Sequence, residues 1–308
     1  MVQAEYLILG SGISGSLLAR HLFERGKNVH VIEKSRQVGG RIASKRLGKS
    51  EDTIQNFSSG INSFTAKDIL SSPWFEAIID EKLIEWSDDD NVFYLQTPAT
   101  NIIQFLLRGI PLSVRENIST IQTSNSKWDL ITDKGHLFRG STLILATPAP
   151  QALPLIGNLV PGDILEKLSQ ASYEKSLTFW GECDLEGAEK IKKNFSHLFR
   201  SFDFKTRKPI TTIMVELNHE LCSQYYDMSL EEMTAEIANL FSEVKLGNCG
   251  IEKWPHARVK KTLPENYIQF SGRPLGFVVG DFLGSSEKSD FERAWLSVEA
   301  LAKTLKEF

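Results

Sequence analysis

The chain has 308 residues, 41% hydrophobic and 24% charged, with 35 Lys and Arg against 39 Asp and Glu and a formal net charge of −4. That is enough for one large domain or two interleaved ones, and it excludes the basic field that would hold nucleic acid or an anionic membrane. No apolar run approaches the ~20 residues of a membrane span, the first strand begins too early for a secretion signal, and cytoplasmic residence is the expectation.

The N-terminal stretch carries the strongest signal. Tyr6-Leu7-Ile8-Leu9 predicts a buried parallel strand, and Gly10-Ser11-Gly12-Ile13-Ser14-Gly15 follows it without a spacer. A helical pattern through Leu17, Leu18, Ala19 and Leu22 runs to Gly26, and Val29-His30-Val31-Ile32 predicts a second strand that ends on Glu33. Gly10 permits the tight turn, Gly12 lets the backbone approach a pyrophosphate, and Gly15 lets helix and strand pack closely. The helix N-terminus offers free N–H groups to the phosphates. Glu33 is placed to accept hydrogen bonds from ribose hydroxyls, and its charge argues against a 2′-phosphate in that slot. A glycine turn without a nucleotide is the plain alternative, and the strand, helix and acid in their places weigh against it.

The run from Glu33 and Lys34 to Gly39-Gly40-Arg41 resembles the Glu-Lys-x-x-x-x-Gly-Gly-Arg extension of amine-oxidase-like FAD flavoproteins. A nicotinamide dehydrogenase would carry straight on into its next helix. FAD rather than NAD is therefore the expected resident cofactor, with Arg41 neutralising its pyrophosphate. The bland reading is a Gly-Gly turn followed by a solvated arginine.

Farther on, Trp74 to Leu83 predicts an amphipathic helix, Asp88-Asp89-Asp90 a solvated turn and Val92 to Leu95 a strand. Pro98 opens a helix through Ile102, Ile103, Phe105 and Leu106. Leu112 to Ile121, Trp128 to Thr132 and His136 to Arg139 predict a small antiparallel meander. Ser141 to Ala146 is another parallel-type strand, returning to the nucleotide sheet with Thr147 at its end. Helices are expected near Pro161–Gln170 and Leu230–Glu243, and strands at Ser176–Glu182, Ile210–Leu217 and Lys253–Lys260. Phe277 to Asp281 predicts a last buried strand with Gly280-Asp281 at its end. A final helix, Phe291 to Glu307, is opened by the Ser289/Glu292 pattern of a capping box. Cys183, Cys222 and Cys249 are too few and too scattered for a disulfide framework or a zinc site, and no metal is expected.

These landmarks together resemble the renalase-like branch of the amine-oxidase flavoproteins along nearly the whole chain. The matching stretches are the glycine turn with Glu33 and Arg41, Phe64-Thr65-Ala66-Lys67-Asp68, Ala146 to Gln151, Ser172-Tyr173, Gly280-Asp281 and Ala294-Trp295-Leu296-Ser297. The resemblance implies an α/β fold: a Rossmann-type FAD-binding domain, residues 1–70, 99–150 and 272–308, with an interleaved second domain of mixed β-sheet and helices, 71–98 and 151–271. It implies further FAD contacts from Gly60, Ile61, Ala146 and Thr147, with Asp281 at the ribityl-phosphate end and Arg293-Ala294 opening the final helix towards the flavin. A turn cap is the plain alternative for Asp281.

The implied activity is hydride transfer from a small reduced donor, a dihydronicotinamide or an amine, to flavin N5, with oxygen accepting the electrons as hydrogen peroxide. Tyr173, Phe179, Trp180, Trp254 and His256 are candidate pocket walls, although an aromatic strand residue is more often core. Lys190, Lys192, Lys193, Lys205, Arg207 and Lys208 suit either a phosphate-bearing donor or a solvated face, and the latter is favoured.

Three departures stand against this pattern. Ser58-Ser59-Gly60-Ile61-Asn62 replaces Asp-x-Gly-Ala-Gln, which removes an acid from the neighbourhood of Arg41, and Thr100 and Arg293 stand where glycines are usual. The sharper reading of Arg293 sets its guanidinium near flavin N1 and O2; the plainer one pairs it with Asp290 or Glu292. The departures keep open a second function class, an FAD-binding protein without turnover in a binding or regulatory role.

Overall fold

The computed structural model describes residues 1–47, 55–58, 63–88, 91–207 and 209–306. β1 (Val2–Leu9) leads through α1 (Ile13–Phe23) to β2 (Val29–Ile32), and a single 3-10 turn at Gly40–Ile42 precedes the paired strands β3 (Ser44–Leu47) and β4 (Gln55–Ser58). Next come β5 (Ser63–Phe64), α2 (Pro73–Asp80), β6 (Ile84–Ser87), β7 (Val92–Leu95) and α3 (Thr100–Leu106). β8 (Leu112–Ser113), β9 (Ile118–Ser124), β10 (Lys127–Thr132), β11 (Leu137–Leu145), α4 (Ala149–Ile156) and α5 (Gly162–Ser169) follow. The chain then forms β12 (Ser172–Cys183), α6 (Leu185–Phe195), β13 (Phe199–Arg207), β14 (Ile210–Leu217), α7 (His219–Tyr225), α8 (Leu230–Leu240) and β15 (Cys249–Lys261). β16 (Ile268–Gly272), β17 (Leu275–Val278) and α9 (Asp290–Thr304) end it. Among the described residues, no helix is long and apolar enough to cross a membrane.

The elements form two compact units, one of Met1–Ser44, Ile61–Ser172 and Val259–Phe308, the other of Lys45–Gly60 and Tyr173–Arg258. In the first, the main sheet runs β16-β17-β11-β1-β2-β8, with β1 parallel to β11 and β2, and β17 parallel to β11. Parallel strands covered on both faces read as continuous apolar runs, as in Leu7-Ile8-Leu9 and Leu143-Ile144-Leu145, all buried. The register pairs Leu9 with Ile32 and with Leu145, and Leu145 with Val278. Gly10, Glu33, Ala146 and Val279 therefore emerge side by side at the carboxyl edge, where open α/β sheets bind ligands.

Four expectations change here. His136–Arg139 and Ser141–Ala146 are not separate strands: Leu137–Leu145 is one strand, antiparallel to β10 in its first half and parallel to β1 along its length. Gly140 sits at the switch, where a Cβ would lie 2.7 Å from Leu7 Cγ. Leu112-Ser113 leaves the meander and pairs in parallel with β2. Residues 71–98, expected in the second domain, belong to the first unit because their aromatics pack on the last helix. Phe75 meets Trp295 edge-on at 5.5 Å and Phe93 edge-on at 5.1 Å. Residues 151–172 and 259–271 also fall in the first unit.

The second unit is the sheet β13-β14-β12-β15 with its own core. Leu177, Phe179, Ile213 and Val215 pack with Met233, Ile237 and Phe241 of the helices. Alternation sends the intervening residues to the other face, where Thr178 stands opposite Glu216 and Trp180 opposite Met214.

Candidate functional site

Gly12 caps α1 with no side-chain hydrogen bond and no acid in the first turn, so the first N–H groups of the helix stay available to an anion. The glycines around it are constrained for different reasons. Gly10 has φ +104°, and a Cβ there would lie 2.7 Å from the Ala146 carbonyl oxygen; one on Gly15 would lie 2.0 Å from that of Gly10. A Cβ on Gly12 would meet nothing nearer than the Gly39 oxygen at 4.0 Å. Gly39 donates its N–H to Ser11 O at 3.0 Å, and a Cβ on Gly40 would stand 3.6 Å from Gly12 Cα. Two glycine turns thus face one another with only backbone between them. Thr147 Oγ1, buried and without a hydrogen-bond partner among the described residues, belongs to a side chain whose methyl lies against Gly10.

Glu33 stands buried at the end of β2. Its carboxylate accepts the Ser11 N–H at 3.0 Å, the Ser11 hydroxyl at 2.7 Å and the Ser35 N–H at 2.8 Å. Three donors on a group with about four acceptor sites fix its orientation and leave capacity for a ribose hydroxyl. Lys34 is exposed and donates to Gln151 Oε1 at 2.8 Å, away from the cradle. Ile13 packs against the core, and the Ser14 hydroxyl donates to the Ala294 carbonyl at 3.4 Å, joining the first turn of α1 to α9. Gly60 and Ile61 lie outside the described residues.

At the head of α9 the expected capping box is half formed. Ser289 Oγ accepts the Glu292 N–H at 3.2 Å and donates to the Thr65 carbonyl at 2.9 Å. Glu292 does not reciprocate; its carboxylate accepts the Asp68 N–H at 2.6 Å. Arg293 is 4% exposed and donates to the carbonyl of Asp281 at 2.5 Å, to that of Lys288 and to the Asp290 carboxylate. Asp290 also accepts from Arg41 Nη1 at 3.2 Å and from the Val259 N–H at 3.1 Å, while Arg41 Nη2 pairs with Asp281. Burial pushes the Asp281 carboxyl above its ordinary pKa; the Arg41 charge opposes that shift and Asp290 adds to it.

Arg41 therefore does have acidic company, supplied from the C-terminal end of the chain instead of from position 58. Thr100 is also accounted for: its hydroxyl accepts the Ser44 N–H at 2.7 Å, and its own N–H donates to Ser44 Oγ at 3.1 Å.

The second unit separates the candidate pocket walls. Phe179 is not one of them: it is fully buried on the helix-covered face, with its ring 5.5 Å from that of Phe241, because Trp180 next to it takes the opposite face. Tyr173 and His256 meet edge-on at 5.2 Å. Trp180 lies over Gly250, where a Cβ would be 2.8 Å from its ring, beside a groove of about 470 Å³ lined also by Leu230, Thr234 and Cys249. The Trp254 indole N–H is buried without a hydrogen-bond partner among the described residues. Sequence reading passed over Glu216, which is buried on the Trp180 face and bound by Arg258 and by the Ser176 hydroxyl at 2.8 Å. An apolar strand interrupted by one acid was its only signal. Lys190 pairs with exposed Glu186 at 2.8 Å, as a solvated face does; Lys208 and the Arg207 side chain are outside the described residues.

Comparison with known proteins now bears on this geometry. Residues 8–80 match the family model for an NAD(P)-binding Rossmann-like domain. Renalase from Mus musculus is 25% identical over 193 residues, 54% of this chain and 54% of that protein, so the match spans about half the length of that relative. Cyclohexylamine oxidase from Brevibacterium oxydans superposes with a TM-score of 0.63 at 10% identity, covering 98% of this chain and 99% of that one. Wild-type putrescine oxidase bound to putrescine gives 0.62 at 11%, with 99% of each chain covered. The chain shares its fold with these two oxidases. Within that fold, the carboxyl edge that gathers Gly10, Glu33 and Ala146 belongs to its Rossmann-like domain.

Proposed function

We propose that this chain is an FAD-dependent oxidoreductase: FAD held here would supply a hydride acceptor, its N5, for a small reduced donor, with oxygen and a proton taking the electrons on as hydrogen peroxide. The observation that carries the reading is the bare-backbone approach of Gly12 to Gly39-Gly40 beside Glu33, a cradle that a single Cβ would fill. The open N-terminus of α1 and Arg41 bind the pyrophosphate, Glu33 accepts from the ribose, and the orphaned Thr147 hydroxyl gains a partner.

Hydride transfer requires no protein acid or base, so the protein's part is to orient the donor and exclude water. Tyr173, Trp180, Trp254 and His256 are the proposed donor-site residues. The second reading, an FAD-binding protein without turnover, draws on Arg293 and its buried charges at the head of α9.

Titration with FAD, followed by the quenching of flavin fluorescence, tests the cofactor assignment. Wild-type protein is expected to bind one equivalent and Glu33→Ala about tenfold or more weakly, the cost of losing a charged acceptor. Saturable NAD binding that depends on Glu33, with no uptake of FAD, would overturn it.

A further inference from the structure

Four charged side chains meet at the head of α9, and their charges cancel. Asp281 and Arg293 form the dry half, each side chain 4% exposed, while Arg41 and Asp290 form the wet half at 24% and 23%. Arg41 grows out of the second glycine turn, directly after the residue that faces Gly12. Its guanidinium is held by Asp290 and Asp281, and Asp290 is held in turn by Arg293 and by the Val259 N–H. The flanking charges are occupied locally, with Lys288 paired to Asp68 and Glu292 accepting the Asp68 N–H.

We infer that Arg293 is a positioning residue for phosphate binding: its charge cancels the Asp290 carboxylate, which would otherwise hold Arg41 back from the phosphates and repel the dinucleotide. This rests on the FAD reading above. Two facts support it over a role in tuning the flavin ring. The guanidinium is spent on three protein acceptors, the Asp281 and Lys288 carbonyls and the Asp290 carboxylate. And without Arg293, Asp281 and Asp290 would face Arg41 alone, leaving a net negative charge beside the site of two phosphates, where low dielectric magnifies repulsion.

The test compares wild type, Arg293→Gly, Arg293→Met and the double variant Arg293→Met/Asp290→Asn in FAD titrations at low and high salt, with the reduction potential of the bound flavin measured alongside. Arg293→Met keeps the bulk and removes the charge, so a glycine variant that fails to fold leaves the comparison intact. Both single variants are expected to bind FAD roughly tenfold more weakly, with part of the loss relieved by salt, as for a repulsion between partly exposed charges. Asp290→Asn restores neutrality, and the double variant is expected to recover most of the affinity. The inference is overturned by Arg293→Met binding FAD as wild type does, by a double variant no better than the single, or by a shifted reduction potential with affinity unchanged. Wild-type protein that takes up no FAD would overturn the FAD reading itself and this inference with it.

Discussion

Replacing Gly15 by Ala is expected to destabilise the fold by about 3 kcal/mol or more, whereas replacing Gly12 by Ala is expected to leave the melting temperature unchanged and abolish FAD binding. The two glycines lie three positions apart in one turn, but their surroundings are opposite. A Cβ on Gly15 would stand 2.0 Å from the Gly10 carbonyl oxygen, a backbone atom with nowhere to retreat, since Gly10 is itself pressed against Ala146. Gly12 has an ordinary φ of −73°, and its missing Cβ would point at space bounded only by Gly39 at 4.0 Å. Alanine there costs the apoprotein little and fills the gap proposed for the pyrophosphate. Thermal melts of the two apoproteins, paired with FAD titrations, check the contrast; equal destabilisation by both changes would mean that the cradle is merely a packed turn.

Arg258→Ala is expected to destabilise the second unit by about 2 to 3 kcal/mol, below the ~3–5 kcal/mol of a fully buried pair because Arg258 is itself 41% exposed. Glu216 is 10% exposed and takes both arms of Arg258, one at 2.7 Å, as well as the Ser176 hydroxyl. Burial alone would push its carboxyl up; the hydrogen bonds and charge of Arg258, with Ser176, outweigh that and hold it below the ordinary glutamate value. In the wild type this stabilisation is present above the ordinary carboxylate pKa and is lost as pH falls through the lowered one. In Arg258→Ala burial is opposed only by the Ser176 hydroxyl and the Arg200 charge, so the carboxyl titrates higher than in the wild type, and the stability deficit is largest at neutral pH and shrinks on acidification as Glu216 takes up a proton. Denaturant unfolding of both proteins from neutral pH down through the carboxylate range reads this directly, and a deficit that is constant with pH would show that Glu216 is not the stranded group.

The carboxyl edge of the main sheet was legible in the sequence because every part of it is local. Strand, glycine turn, helix and acid follow in about thirty residues with the spacing that the unit demands. Val92–Leu95 matches its expected bounds to the residue for the same reason, an uninterrupted apolar run, and Ile210–Leu217 does so through its β-branched and apolar content. What escaped was decided by distant partners. Arg41 receives Asp290 across 249 positions, so the loss of an acid at Ser58 read as a gap when the chain had closed it from its other end. Thr100 looked like a missing glycine until Ser44 answered both its hydroxyl and its N–H. The helix at Leu185–Phe195 hid behind charge: it buries only Gly187, Ala188 and Ile191, and its start is set by Asp184 accepting from the Gly187 N–H. Phe179 and Trp180 were both read as pocket walls, though adjacent strand residues must face opposite ways.

If a donor held by this protein passes a hydride to bound FAD, the flavin must bleach without oxygen. Anaerobic mixing of the FAD-loaded protein with reduced nicotinamides and, separately, with simple primary amines, while following the yellow colour of oxidised flavin, tests it most directly. Rapid bleaching by a dihydronicotinamide, slower bleaching by amines, and return of the colour with one equivalent of hydrogen peroxide when air is admitted are expected. Flavin that stays oxidised in the presence of every donor would contradict the transfer and leave a protein that binds FAD without turning it over.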